Sequence, residues 1–144
     1  MKRFIGPLCL LVLILGCAVP SPTPTPTPTP DELFFLSEEV RLYLIQMRPY
    51  ASSQAIVLAL EMSAASLRKV LIRIEAIVPP AELEEAHVKL VKGYQCLYEG
   101  RAILESHPRP ELRSEGFFLQ DWGIKNLQEY QEMILEYVLS QRLK

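Results

Sequence analysis

Apolar positions along this chain fall into two regimes. Residues 4–15 form an almost unbroken apolar run, whereas from Asp31 onward apolar residues recur at steps of three and four. The second spacing is one face of an α-helix, and no strand-like alternation competes with it. Leu33, Leu36, Val40, Tyr43 and Met47 make a first stripe that stops near Pro49. Ile56, Leu60, Ser63, Leu67, Val70, Ile74 and Ile77 make a second, which ends before Pro79 and Pro80. The two stripes are out of phase by a residue when extended across Pro49, so a break or kink is expected there, with Pro49 in the first turn of the second helix as the alternative. The third stripe runs Leu83, His87, Leu90, Tyr94, Leu97, Arg101 and Leu104. It is opened by Pro80-Ala81-Glu82, where a proline and an acid suit a helix N-terminus. The fourth begins around Pro110-Glu111 and carries Trp122, Leu127, Tyr130, Ile134, Tyr137 and Val138 inward. Short connections make antiparallel neighbours. Residues 31–144 are therefore expected to form one all-α domain, an up-and-down antiparallel four-helix bundle with its first helix short or kinked at Pro49.

Glycines add a detail to the last two helices. Gly93 and Gly100, with Ala86, repeat every seven residues on the third helix, and Gly116 and Gly123 do so on the fourth. Small residues in register would let two helix axes approach closely, although each helix-interior glycine costs about 1 kcal/mol against alanine; plain helix irregularity is the alternative.

The first thirty residues obey other rules. Lys2 and Arg3 precede the apolar run, which is the layout of a secretory signal peptide and too short for the roughly 20 residues of a spanning helix. The run closes with Ile14-Leu15-Gly16-Cys17, which resembles the lipobox of bacterial prolipoproteins. That resemblance implies a signal peptide over residues 1–16, cleavage between Gly16 and Cys17, and diacylglycerol on the Cys17 sulfur. A further acyl chain, such as palmitate, would sit on the new amino group. One acyl chain holds a membrane only marginally, whereas two or three, at about 0.8 kcal/mol per buried CH₂, hold durably. Residues 17–30 continue into alternating Thr-Pro, where missing backbone donors and a fixed φ exclude helix and sheet and favour a stiff polyproline II spacer of about 3.1 Å per residue. The expected location is a bacterial cell membrane, lipid-anchored on the extracytoplasmic face. Ala18 leaves inner and outer membranes both open.

Charge and composition narrow the partners. The chain has 15 Lys and Arg against 17 Asp and Glu, and removing Lys2 and Arg3 leaves 13 against 17, an acidic domain unsuited to nucleic acid. Cys96 is the lone thiol after residue 30, so no intrachain disulfide is expected there. It falls on a different face from Leu90, Tyr94 and Leu97, near Lys89 and Lys92, where positive charge would favour a thiolate.

Candidate chemistry is sparse. Glu84 and His87 form a Glu-x-x-His that resembles half of the ligand set of ferritin-like di-iron bundles. There is no second copy, and His107, the other histidine, stands beside Pro108. The more ordinary reading is a partly buried, hydrogen-bonded His87 on the helix seam, with Arg101 similarly reaching outward along its apolar stem. Most of Phe34-Phe35, Phe117-Phe118 and Trp122 are expected in the core, but adjacent aromatics cannot all face inward on a helix, so one or two are expected to form an exposed apolar patch for a partner, a ligand or lipid. No phosphate loop, nucleophile elbow, Cys-x-x-Cys or paired-carboxylate signature is present, so neither enzyme activity nor a cofactor is expected. Beyond the leader, the Pro-Pro, the helix with Glu-x-x-His and the aromatic last helix loosely resemble small helical-bundle lipoproteins that carry no known activity. The expectation is a tethered interaction or envelope-associated module, the alternative a metal- or small-ligand-binding bundle using His87 and nearby glutamates.

Overall fold

The structure is a computed structural model that describes residues 33–106 and 109–144. Cys17, Gly16, the leader, the Thr-Pro tract and His107 lie outside the described residues. Among the described residues every regular element is helical: α1 (Glu38–Ala51), α2 (Ser53–Glu61), α3 (Ala64–Glu75), α4 (Glu84–Ser106) and α5 (Pro110–Arg142), with a 3-10 turn at Ala81–Leu83 leading into α4.

Serines start the first three helices. Ser37 accepts from the Val40 amide at 3.4 Å, Ser52 from Ala55 at 3.1 Å and Ser63 from Ser66 at 3.3 Å, each satisfying an amide that the helix leaves without a partner. Glu38 and Glu39 in the first turn of α1 and Arg48 in its last suit the helix dipole. Pro49 does not end α1, because a proline near the C-terminus costs only one backbone bond. The break falls at Ser52, whose extended backbone donates to Arg48 O while its hydroxyl caps α2.

The second apolar stripe is not one helix. Met62 and Ser63 are both extended, with ψ of 148° and 158°, so the expected helix from Ile56 to Ile77 is cut into α2 and α3. Ser63, expected on the inward stripe, is exposed and caps α3. The expected four helical segments thus become five helices.

α4 and α5 form the tightest contact. Gly93 faces Gly123 and Gly100 faces Gly116. As one index rises by seven the other falls by seven, which is antiparallel register. A Cβ built on Gly100 would lie 2.5 Å from Gly116 O, and one on Gly123 2.8 Å from Gly93 O, so backbone meets backbone and only hydrogen fits. This face also decides Trp122. Standing one residue before Gly123, it points about 100° away from the contact and is 40% exposed rather than inward. Leu127, Tyr130, Ile134 and Val138 are buried as the spacing implies, and Tyr137 is half-buried.

The N-terminal arm follows α4. Tyr43 meets His87, Tyr50 meets Tyr94, Leu60 meets Arg101 and Ala64 meets Glu105. Both indices rise together, so α1 and α2 run parallel to α4. Ala64 thus begins α3 beside the far end of α4, and the chain must travel back along it to reach Glu84. α4, with 23 residues, is about 34 Å long, α3, with 12, covers about 18 Å, and residues 76–80 span the rest. The core between these lanes holds Met47, Leu67, Ile74, Leu83, Leu90, Leu97 and Leu127, each almost wholly buried and each contributing on the order of 2 kcal/mol by leaving water.

Candidate functional site

The middle of the molecule holds a polar cluster built from three helices. Val40, Tyr43 and Met47 share the buried face of α1, which aims the Tyr43 ring at α4. There the Tyr43 hydroxyl lies 3.1 Å from His87 Nδ1, with ring centroids 5.8 Å apart. Tyr130, on the buried face of α5, is hydrogen-bonded to Tyr43 from the other side. Burial pushes the Tyr43 phenol up to about 12 and Tyr130 well above the ordinary phenol range, while it pushes the His87 imidazole below its usual value. All three groups are therefore neutral near pH 7. The donor roles follow from the imidazole tautomer, and with Tyr130 donating to the Tyr43 oxygen the chain has one consistent direction. Tyr43 then donates to Nδ1, and the imidazole proton belongs on Nε2. In this relay each hydroxyl proton has an acceptor, and two phenols that hold their protons so firmly are not bases or nucleophiles at neutral pH.

His87 is thus the buried, hydrogen-bonded seam residue of one sequence-based expectation. Glu84, its partner in the Glu-x-x-His, is exposed at the first position of α4. Among the described residues no three His, Cys, Asp or Glu side chains gather where they could hold a metal ion. Glu105 and Glu129, two other candidate oxygen donors, are engaged elsewhere: Glu105 with the Ala64 amide and Glu129 with Lys89 Nζ at 2.5 Å. Cys96 does not favour a thiolate. It is buried, and burial, with Glu99 adding, pushes the thiol up against a smaller opposing effect of Lys92.

A second polar set was not anticipated from the sequence. Arg101 does not snorkel outward but donates to Leu60 O, near the end of α2. One turn later Glu105 accepts from Ala64 N at 3.1 Å, at the first residue of α3. A cation on carbonyls and a carboxylate on amides are the pairing that two helix ends prefer, so α4 clasps the α2–α3 break from one side. The end of α1 is held likewise, with Tyr94 OH donating to Tyr50 O at 2.8 Å and Gln131 Nε2 to Ala51 O at 2.6 Å. The i, i+4 spacing of Arg101 and Glu105 and the Ser63 cap were the available signals, but only the fold brings them to one junction. Arg101→Met should cost about 1 kcal/mol, small because the Arg101 side chain is half-exposed and its buried Nε already lacks a partner. A urea midpoint shifted at constant m-value would register it.

The aromatics are more exposed than expected: instead of most lying in the core, Phe35 alone of the five packs on it, because the glycine contact and the helix ends turn the others to solvent. Phe34 is 78% exposed while Phe35 packs on the core, and Phe117 and Phe118 are both exposed. Phe118 and Trp122 share one face of α5, where Lys125 Nζ stands 5.1 Å from the Trp122 ring. Among the described residues no helix is long and apolar enough to cross a membrane. Compared with known proteins, the chain matches no family model, no curated protein and no solved structure.

Proposed function

We propose that this chain is an extracytoplasmic lipoprotein, anchored in a bacterial membrane through lipid on Cys17, whose helical domain is a non-enzymatic interaction or envelope-associated module. The observation that carries the reading is Ile14-Leu15-Gly16-Cys17 closing a short basic-then-apolar leader and followed at once by the Thr-Pro tract. In this reading α1 and α2 together are the first lane of an up-and-down antiparallel four-helix bundle, α3 the second, α4 the third and α5 the fourth. The stalk then enters at the end where Leu33 and the start of α4 lie. Phe117 and Phe118 stand near the turn between α4 and α5, at the opposite end, so the tether would present them away from the lipid to a partner.

The composition of the polar cluster supports a structural rather than catalytic interior, since its phenols hold their protons and its imidazole is already engaged. The ligand-binding alternative on His87 and Glu84 gains no support from the geometry, with Nδ1 occupied and Glu84 exposed. The anchor is tested by Cys17→Ser in a bacterial host. Wild type should incorporate labelled palmitate and sediment with membranes, and the variant should do neither. A wild type without lipid, or a variant retained as before, would end the proposal.

A further inference from the structure

We propose that the Tyr130–Tyr43–His87 chain is an acid-sensitive latch: protonation of His87 releases the α1 arm from the α4–α5 hairpin while the hairpin itself stays paired. Two features of the fold make the arm the part that lets go. The hairpin is closed by backbone against backbone at its glycines, a contact with no titratable group in it. α1 has no such backbone contact with it: besides the apolar packing of Val40, Tyr43 and Met47, its polar attachments to the hairpin are Tyr43 to His87, Tyr94 to Tyr50 O and Gln131 to Ala51 O. Of these three polar attachments, the one through His87 includes an imidazole, the side chain whose charge changes closest to neutral pH.

The chemistry of the latch is directional. Neutral His87 accepts the Tyr43 proton on Nδ1. Once Nδ1 is protonated, two donors face each other, and the Tyr43 hydroxyl must turn its hydrogen away from Nδ1, toward the Tyr130 oxygen or the apolar face it shares with Val40 and Met47, so that one phenol proton of the chain loses its acceptor while a charge sits unpaired in buried surroundings. The surroundings offer the new charge nothing in return. Tyr43 faces it from α1. On α5 the titratable groups nearest in register are Tyr130, Tyr137 and Glu129, with Glu129 committed to Lys89 and Glu132 and Glu136 exposed, and at the end of α3 Arg73 and Glu75 are exposed too. On its own helix Glu84 and Glu85 are exposed, and on the preceding turn Glu82 lies by Tyr137. Burial alone holds the imidazole below its ordinary value. With the arm free, His87 returns to about 6.5. Below that pH the released form binds a proton that the docked form refuses, so docking weakens as pH falls. Release would uncover apolar surface on both sides, including Met47 and Leu90.

Amide hydrogen exchange on the full chain, corrected for the intrinsic rate at each pH, tests the latch. Between pH 7.5 and 5.0, protection across α1 should fall severalfold, with about thirtyfold as the ceiling that a free imidazole near 6.5 sets if the docked form takes no proton. Protection around Gly93, Gly100, Gly116 and Gly123 should stay constant. In His87→Gln, which keeps a hydrogen-bonding side chain without titrating, α1 protection should be the same at both pH values. Tyr43→Phe, which removes the donor to Nδ1 while its ring keeps its place, should lower α1 protection at pH 7.5 and lose less than wild type between 7.5 and 5.0, and serves if His87→Gln does not fold. The latch is overturned by an unchanged α1 in wild type, by an equal loss in His87→Gln, by a loss in Tyr43→Phe as large as in wild type, or by α1 and the hairpin losing protection together.

Discussion

Gly100→Ala is expected to destabilise the domain by about 2 kcal/mol, although helix propensity alone says that it should stabilise it by about 1 kcal/mol. The sign is decided by geometry. A Cβ on Gly100 meets Gly116 O at 2.5 Å, and that oxygen belongs to the backbone of a 33-residue helix that cannot yield locally. Relief requires the two helices to separate, which loosens Leu97 and Leu127 beside the contact. Gly93→Ala should be milder, because its nearest neighbour is the movable end of Leu127 at 2.6 Å and the facing backbone oxygen is at 3.1 Å. Urea unfolding of both variants checks the order. For a domain of this size a 2 kcal/mol loss corresponds to a Tm lower by roughly 8 °C. A Gly100→Ala variant as stable as wild type would mean that the helices are not in backbone contact.

The other large effect belongs to Tyr43→Phe, expected to cost about 3 kcal/mol. The ring still fills its site, so no cavity is made, but His87 Nδ1 loses its donor and the Tyr130 hydroxyl loses its acceptor, both in buried surroundings. An unsatisfied buried polar group costs about 1–3 kcal/mol, and here there are two. Tyr130→Phe should cost about 1 kcal/mol, since it removes the first donor of the relay and leaves the Tyr43 proton on Nδ1. Equal losses for the two variants, or the reverse order, would reverse the direction of the relay. Denaturant midpoints at pH 7.5, where all three groups are neutral, make the comparison.

These expectations rest on features of unequal visibility in the sequence. The stripe Leu33, Leu36, Val40, Tyr43 and Met47 is legible because helix burial follows spacing, and all five are buried. The seven-residue glycine repeats admitted a close approach, because small residues in register let two helix axes meet. Their pairing, 93 with 123 and 100 with 116, was not legible, since register depends on how the turn between α4 and α5 closes. Trp122 was misread for the same reason. An aromatic next to a buried stripe is assigned inward by default, and the glycine contact rotates that position outward. Cys96 was read from its lysine neighbours in sequence, yet burial outweighs them.

The histidine shows the limit most clearly. Its seam position follows from the three-and-four spacing of Leu83, His87 and Leu90, which is enough to bury it. What it does once buried depends on Tyr43, 44 residues away in the chain, and on Tyr130. Glu-x-x-His pointed to a pair on one helical face, but residues three apart stand about 60° off around the helix, and here that offset puts Glu84 on the solvent side of the seam that His87 occupies.

By itself the sequence determined the helical class, which residues face inward along most of each helix, and the change of regime between the apolar run of residues 4–15, the Thr-Pro tract and the helical region. Those follow from local rules: periodicity, proline chemistry and the missing amide partners at helix ends. Tertiary structure alone decided that the second stripe breaks at Met62 and Ser63, that Arg101 and Glu105 clasp the break, and that two tyrosines and a histidine form one buried relay. A helix end, or a buried polar atom, needs a partner, and which partner reaches it is a matter of distance between lanes that no local pattern encodes.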